Sequence, residues 1–193
     1  MIRIAIILGS TRPGRRGKQV ADWVLDRAAA RTDVEFELVD LADYVLPHLD
    51  EPMPAAMGQY MNDHTRAWSE RIAGFDGYIF VTPEYNHSTS GVLKNAIDYL
   101  YTEWNNKAAA LVGYGGVGGA RAIEHLRLVL AELQVATVRQ TITLSLMTEF
   151  EDFTTFTPTA YQSDLLNTLF DQLVTWAQAL ADVRKPELAA PAA

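Results

Sequence analysis

The sequence predicts a single α/β domain built as a doubly wound, five-stranded parallel sheet with helices on both faces. Three observations predict it. Apolar β-type runs alternate with helical patterns along the chain. The first of these runs is almost unbroken in its hydrophobicity, as a strand covered on both faces requires. The alternation repeats five times within 193 residues, and successive right-handed β-α units assemble into such a sheet.

The elements follow in order. Residues 2–8 form the first strand, apolar except for Arg3, and Gly9 ends it. Residues 17–30 are helical, with Val20, Trp23, Val24 and Leu25 spaced to make an apolar face. The second strand, 34–41, alternates Val34, Phe36, Leu38 and Val39 with Glu35, Glu37 and Asp40. A long connection, 42–62, carries Pro47, Pro52 and Pro54, and connections of that length are often functional. Helix 63–74 and strand 77–82 follow, then helix 90–101, with Ser90 placed to cap it. Residues 107–114 contain Ala-Ala-Ala-Leu-Val and read as a strand by position more than by propensity. Helix 120–133 shows Ile123, Leu126, Val129, Leu130 and Leu133 on one face, and 137–144 is the fifth strand. Residues 145–161 are irregular and aromatic. Helix 162–183 closes a domain spanning 1–183, and the Pro- and Ala-rich residues 184–193 read as a loose tail.

Composition removes several classes of function. The net charge of −8 argues against a general nucleic-acid binder. There is no cysteine, which excludes disulfides, thiolate catalysis and cysteine-based metal sites. His48, His64, His87 and His125 share no metal-binding spacing, and nothing pairs Glu84 or Asp98 for acid–base work. No stretch is long enough for a membrane span and the N-terminus lacks signal-peptide flanks, so a cytoplasmic protein is expected.

In an open α/β sheet, ligands bind beyond the carboxyl ends of the strands where strand order reverses. For the order 2-1-3-4-5 that point lies between strands one and three. The segments after strands one, three and four are all unusual. The first is Gly9-Ser10-Thr11-Arg12-Pro13-Gly14-Arg15-Arg16-Gly17. Unpaired N–H groups at a helix start, with two hydroxyls beside them, make a phosphate cradle. Arg12, Arg15, Arg16 and Lys18 crowd the positive end of that helix dipole, which is unfavourable unless an anion binds there. Ser10, Thr11 and Arg12 are the leading phosphate ligands; Arg15 and Arg16 could instead meet the phosphates of NADPH. Gly9 and Gly14 have P-loop spacing, but arginines replace the required Lys and Ser/Thr.

The second segment runs Thr82-Pro83-Glu84-Tyr85-Asn86-His87-Ser88-Thr89-Ser90-Gly91. Pro83 and Tyr85 offer a face to a flat aromatic ligand, and Asn86, His87 and the main chain offer hydrogen bonds. Glu84 is expected to order its own loop. The third segment, Gly113-Tyr114-Gly115-Gly116-Val117-Gly118-Gly119, lets a ligand approach the backbone closely. It contains G-x-G-x-x-G, but the acidic residue of a dinucleotide fingerprint is missing and the fourth β-α unit is the wrong place for it.

With these loops in order, the chain resembles the NAD(P)H-dependent FMN reductase family of flavin, quinone, chromate and azo-dye reductases. The likeness rests on Gly9–Arg12 with Gly14 and Arg16, on Thr82–Asn86, on Ser90–Asp98 and on the glycine loop, roughly the first three quarters of the chain. It implies a flavodoxin-like fold, tightly bound FMN, and dimers or pairs of dimers. It places the FMN phosphate at Ser10, Arg12 and the loop through Gly17, the ring beside Pro83–Asn86, and the ring's pyrimidine edge near Gly115, Gly116, Val117 and Gly118. Many members carry a hydroxyl where this chain has Gly17, so one phosphate hydrogen bond passes to the backbone or to Arg16. The implied activity moves hydride from NAD(P)H to FMN and on to a small acceptor by a ping-pong route, with no side chain as nucleophile. NADPH is preferred over NADH on the strength of Arg15 and Arg16. Two other readings stay open: a flavodoxin-type electron carrier, and a Rossmann dehydrogenase using the glycine loop. Ile97, Leu100, Tyr101 and Trp104 offer apolar surface for a dimer, or core packing.

Overall fold

The computed structural model describes residues 1–185. Five strands, β1 (Ile2–Leu8), β2 (Val34–Asp40), β3 (Gly77–Pro83), β4 (Lys107–Gly115) and β5 (Val135–Ser145), form one sheet in the order 2-1-3-4-5. Every pairing is parallel. This is the flavodoxin-like arrangement expected from the sequence. Helices α1 (Gly17–Ala28), α2 (Asp63–Ala73), α3 (Gly91–Asp98), α4 (Ala120–Glu132) and α5 (Ala160–Val183) supply the crossovers and the closing element.

Two cores explain the unbroken apolar strands. Ile4, Ile6 and Leu8 of β1 share one buried cluster with Val20 and Val24 of α1 and with Leu169 and Leu173 of α5. Ala5 and Ile7 point the other way, into a cluster with Trp68 of α2, Leu93 of α3 and Leu126 of α4. Alternate residues of a strand face opposite sides, so a strand between two cores must be apolar throughout. β2 lies at the edge and keeps the alternation read from its sequence. β4 is buried over its whole length, although its alanines are poor strand formers. Ala109 there shares a core layer with Trp104, Tyr78 and Phe80, whose rings meet edge-on or tilted.

Three expectations change. Residues 145–161 are not wholly irregular: β6 (Phe150–Glu151) and β7 (Thr155–Phe156) form a small antiparallel hairpin. Ile97, Leu100 and Trp104 are buried in the α2–α4 core, and the Trp104 indole donates to the Ile97 carbonyl at 3.1 Å. They pack inside the chain and offer no dimer surface. Arg184, expected to begin a loose tail, pairs with Asp76 at 2.5 Å and donates to the Asn106 carbonyl at 2.8 Å. The rest of that tail, 186–193, lies outside the described residues. No helix among the described residues is long and apolar enough to cross a membrane.

Candidate active site

Parallel strands deliver the loops after β1, β3 and β4 to one edge of the sheet. The β1 loop begins at Gly9, whose N–H donates to Val81 at 2.9 Å, and is exposed over residues 11–14 before Gly17 starts α1. That helix has no side-chain cap; Arg16 occupies the capping position. Its first N–H groups therefore form a positive helix terminus. Two of the four cations crowding it are neutralised locally. Lys18 pairs with Asp22 at 2.6 Å along the helix. Arg15 makes a forked contact with both Asp40 oxygens, at 2.8 and 2.5 Å, and donates to the Ser10 carbonyl. Arg15 thus staples the β1 loop to the end of β2, so it is not free to meet NADPH. Arg16 donates to the Phe153 carbonyl at 2.9 Å. The Arg12 side chain is exposed, with no ion pair among the described residues.

The β3 loop is fixed from the glycine loop side. Glu84 N–H donates to the Tyr114 carbonyl at 2.9 Å. The Glu84 carboxylate, 3% exposed, accepts from the Arg121 guanidinium and from its backbone N–H at 3.0 Å. Burial by itself raises the Glu84 pKa, but the hydrogen bonds and charge of Arg121 prevail and hold it below the usual carboxylate value. Glu84 therefore serves as a distant cap for α4 and orders its own loop, as expected. Asn86 and His87 take left-handed conformations, φ 47° and 74°, in a tight turn closed by paired Tyr85 and Ser88 hydrogen bonds. The Tyr85 hydroxyl lies 3.1 Å from Ser10 Oγ. Ser90 caps α3 through Leu93 N–H at 3.2 Å. Asp98 pairs with Lys94 at 2.6 Å.

The glycine loop is braced in the same way. Gly118 N–H donates to Gly115 at 3.1 Å and Leu144 N–H to Gly118 at 3.2 Å, which commits the Gly118 amide within the loop. Gly116 and Val117 are left exposed.

Together these loops enclose a cavity of about 340 Å³, with Arg12, Arg16, Pro83, Glu84, Tyr85, Gly115 and Gly116 among its walls. Half of the residues singled out in the sequence thus share one space. Ser10 is fully buried behind Tyr85, and Gly17 is buried beneath Tyr114. Thr11 faces a second cavity of about 660 Å³, lined also by Tyr44, Pro47 and His48 of the long connection and by Val92 and Asn95 of α3. Asn86, His87, Val117 and Gly118 line neither. Of the other walls, Pro13 and Gly14 belong to the first loop and Arg15 was read only as a contact for NADPH, while Tyr114, Leu146 and Phe153 were missed. Tyr114 stood in plain view, as one of two side chains within the glycine run. Leu146 and Phe153 carry no local signal beyond the aromatic character of their segment.

The sequence pattern of the NADPH-dependent FMN reductase family matches residues 2–149, which hold all three loops. The chain belongs to that family. Among its relatives, the NAD(P)H-dependent FMN reductase of Nectria sp is 48% identical over 128 residues, 63% of this chain and 64% of its own length. The match thus spans just under two thirds of that relative. The 2-hydroxy-1,4-benzoquinone reductase of Burkholderia sp is 34% identical over 149 residues, 72% of this chain and 75% of its own. In three dimensions, FerB, the flavoenzyme NAD(P)H:(acceptor) oxidoreductase of Paracoccus denitrificans, aligns with a TM-score of 0.71 over 93% of this chain and 98% of its own. Its 24% identity makes that a likeness of fold.

Proposed function

We propose that the protein holds FMN in the smaller cavity and works as an NAD(P)H-dependent oxidoreductase on a small acceptor, with quinones first among the candidates. The observation that carries the reading is the convergence of the three family loops on one cavity whose chemistry changes along its length. One end has Arg12, Arg16 and an uncapped helix start, suited to a phosphate. The other has Pro83, Tyr85, Gly115 and Gly116, suited to a flat ring with a polar edge. Ser10, Thr11 and Gly17 complete the phosphate end in this proposal. Asn86, His87, Val117 and Gly118 shape the ring end from outside the cavity walls.

When bound, FMN would supply the redox chemistry that couples oxidation of NAD(P)H to reduction of the acceptor, in the ping-pong order proposed. The chain supplies geometry. Glu84 and Arg121 lock the β3 loop against α4, so the wall beside the ring is rigid. Gly116 keeps that wall free of side chains and leaves main-chain groups to face negative charge. The 660 Å³ cavity beside Thr11 offers room for the nicotinamide or the acceptor, and residues 44–48 govern its shape. With Arg15 paired to Asp40, the proposed preference for NADPH over NADH rests on Arg16.

The quinone assignment draws on the named activity of the Burkholderia relative; flavin, azo compounds and chromate are further acceptors for the same open face. A homodimer or homotetramer is proposed from the family resemblance and from Val92 of α3 and Leu128 of α4, both exposed to solvent. A cytoplasmic setting is proposed from the lack of cysteine and of a membrane-spanning helix among the described residues.

Steady-state oxidation of NADPH at several concentrations of 1,4-benzoquinone tests the proposal. Parallel double-reciprocal lines are expected. Intersecting lines would remove the ping-pong route, and failure to oxidise NADPH by a protein carrying FMN would mark an electron carrier instead.

A further inference from the structure

Tyr114 leaves β4 and runs beneath the start of α1, where its side chain is buried with the residue only 5% exposed. Its hydroxyl is fully buried and makes no hydrogen bond of good geometry, although the Ser10 hydroxyl and the Gly17 N–H lie close enough to lower its pKa. Polar groups buried this deeply are nearly always satisfied, so an orphan of this kind calls for a ligand. The direction in which it points is given by Gly17. A Cβ on Gly17 would fall on the Tyr114 hydroxyl and lie 2.9 Å from Leu8 Cδ1. The tyrosine hydroxyl thus takes the space that a side chain at Gly17 would fill, at the first residue of α1.

Two further facts bear on what it meets there. The helix start has no side-chain cap, and Tyr114 lines the cavity that Arg12 and Arg16 also line. Burial, and then the nearby Tyr85, raise the phenol above its usual pKa, against smaller opposing effects of Ser10, the Gly17 N–H and Arg15. The group is therefore a protonated donor near neutral pH.

We infer that the Tyr114 hydroxyl donates a hydrogen bond to a phosphate monoester bound at the start of α1, standing in from β4 for a hydroxyl that position 17 cannot carry. This rests on the flavin reading above, where the monoester is the FMN phosphate. It adds a donor from the fourth strand to a cradle otherwise built from the loop after the first. It also explains why Gly17 and Tyr114 occur together: the tyrosine hydroxyl fills the space that a side chain at position 17 would need.

The test compares FMN with riboflavin, which lacks the phosphate, by quenching of flavin fluorescence on titration with apoprotein. In Tyr114→Phe the affinity for FMN falls about tenfold or more, as expected for a lost bond to a charged group, while the affinity for riboflavin is unchanged. Thermal melting of the apo variant provides the fold control, and the midpoint does not fall, since the change deletes a buried group that makes no bond. Equal losses for both flavins, or no loss for either, would overturn the inference. A lowered apo midpoint would overturn it as well, by showing that the hydroxyl is already satisfied inside the protein. A wild-type apoprotein that binds neither flavin would instead remove the flavin reading itself.

Discussion

Gly116 and Gly119 stand three positions apart in the loop after β4 and serve different ends. A Cβ on Gly119 would meet Tyr114 N at 2.5 Å and the Gly113 carbonyl carbon at 2.7 Å, and its φ of +78° disfavours any side chain. A Cβ on Gly116 meets nothing within 4 Å. Gly119→Ala is therefore expected to cost about 2 kcal/mol or more in urea unfolding. Gly116→Leu should leave the unfolding midpoint nearly unchanged and weaken FMN uptake about tenfold; undiminished uptake would show that the loop does not border the ring. The glycine run was legible in the sequence, but the separate need for Gly119 was not, because the atoms that require it are backbone atoms of residues 113 and 114 brought together by the turn. Arg15 shows the same limit. Its sequence neighbours suggested an anion, whereas its partner Asp40 lies at the end of another strand.

At the level of elements, the hairpin of β6 and β7 is anchored by one side chain of α1. Gln19 donates to the Thr154 carbonyl at 2.9 Å and accepts from Phe156 N–H at 2.9 Å. Trp23 adds an edge-on contact with Phe156, centroids 5.5 Å apart. Between the strands sits Phe153, a wall of the cavity whose carbonyl receives Arg16. Gln19→Ala is expected to speed amide exchange across the hairpin by about tenfold, while global stability changes by about 1 kcal/mol. Exchange that stays slow would show that aromatic packing alone holds it. The hairpin escaped the sequence reading because two strands of two residues carry no period to detect. The main strands and helices were legible because their patterns are long, and β4 was placed by its position between two clear neighbours. Helix 90–101 was read too long: α3 ends at Asp98, and the apolar residues beyond it are drawn inward by the core rather than by helical periodicity.

For the molecule as a whole, the parallel five-stranded sheet followed from the repeated β-α pattern, and its order is the 2-1-3-4-5 that the flavodoxin-like resemblance implied. The end of the sheet away from the site is less visible in sequence. There Lys107 is buried, donating to the Ile72 and Ala73 carbonyls at 3.2 and 3.3 Å and to the Tyr78 hydroxyl at 3.0 Å. Burial first, then the charge of Arg184, lowers its pKa to about 8, against the raising effects of Asp76 and Glu103. The unfolded chain keeps the proton up to the ordinary value of 10.5. Between these values the unfolded state binds more protons, so stability rises with pH. Tyr78 works in the opposite sense above its ordinary value of 10, since burial raises its pKa in the fold. From about pH 7.5 to about 9.5, the wild type should gain on the order of 2 kcal/mol relative to Lys107→Met. Parallel stability curves for the two proteins would show that Lys107 titrates normally.

In the function proposed for it, this fold holds FMN, which a pyridine nucleotide reduces. The most direct test is the visible absorption spectrum of the purified protein, supplied with FMN where needed, before and after anaerobic addition of NADPH. A bound-flavin spectrum that bleaches is the predicted result. A protein that takes up no FMN would contradict the account at its foundation.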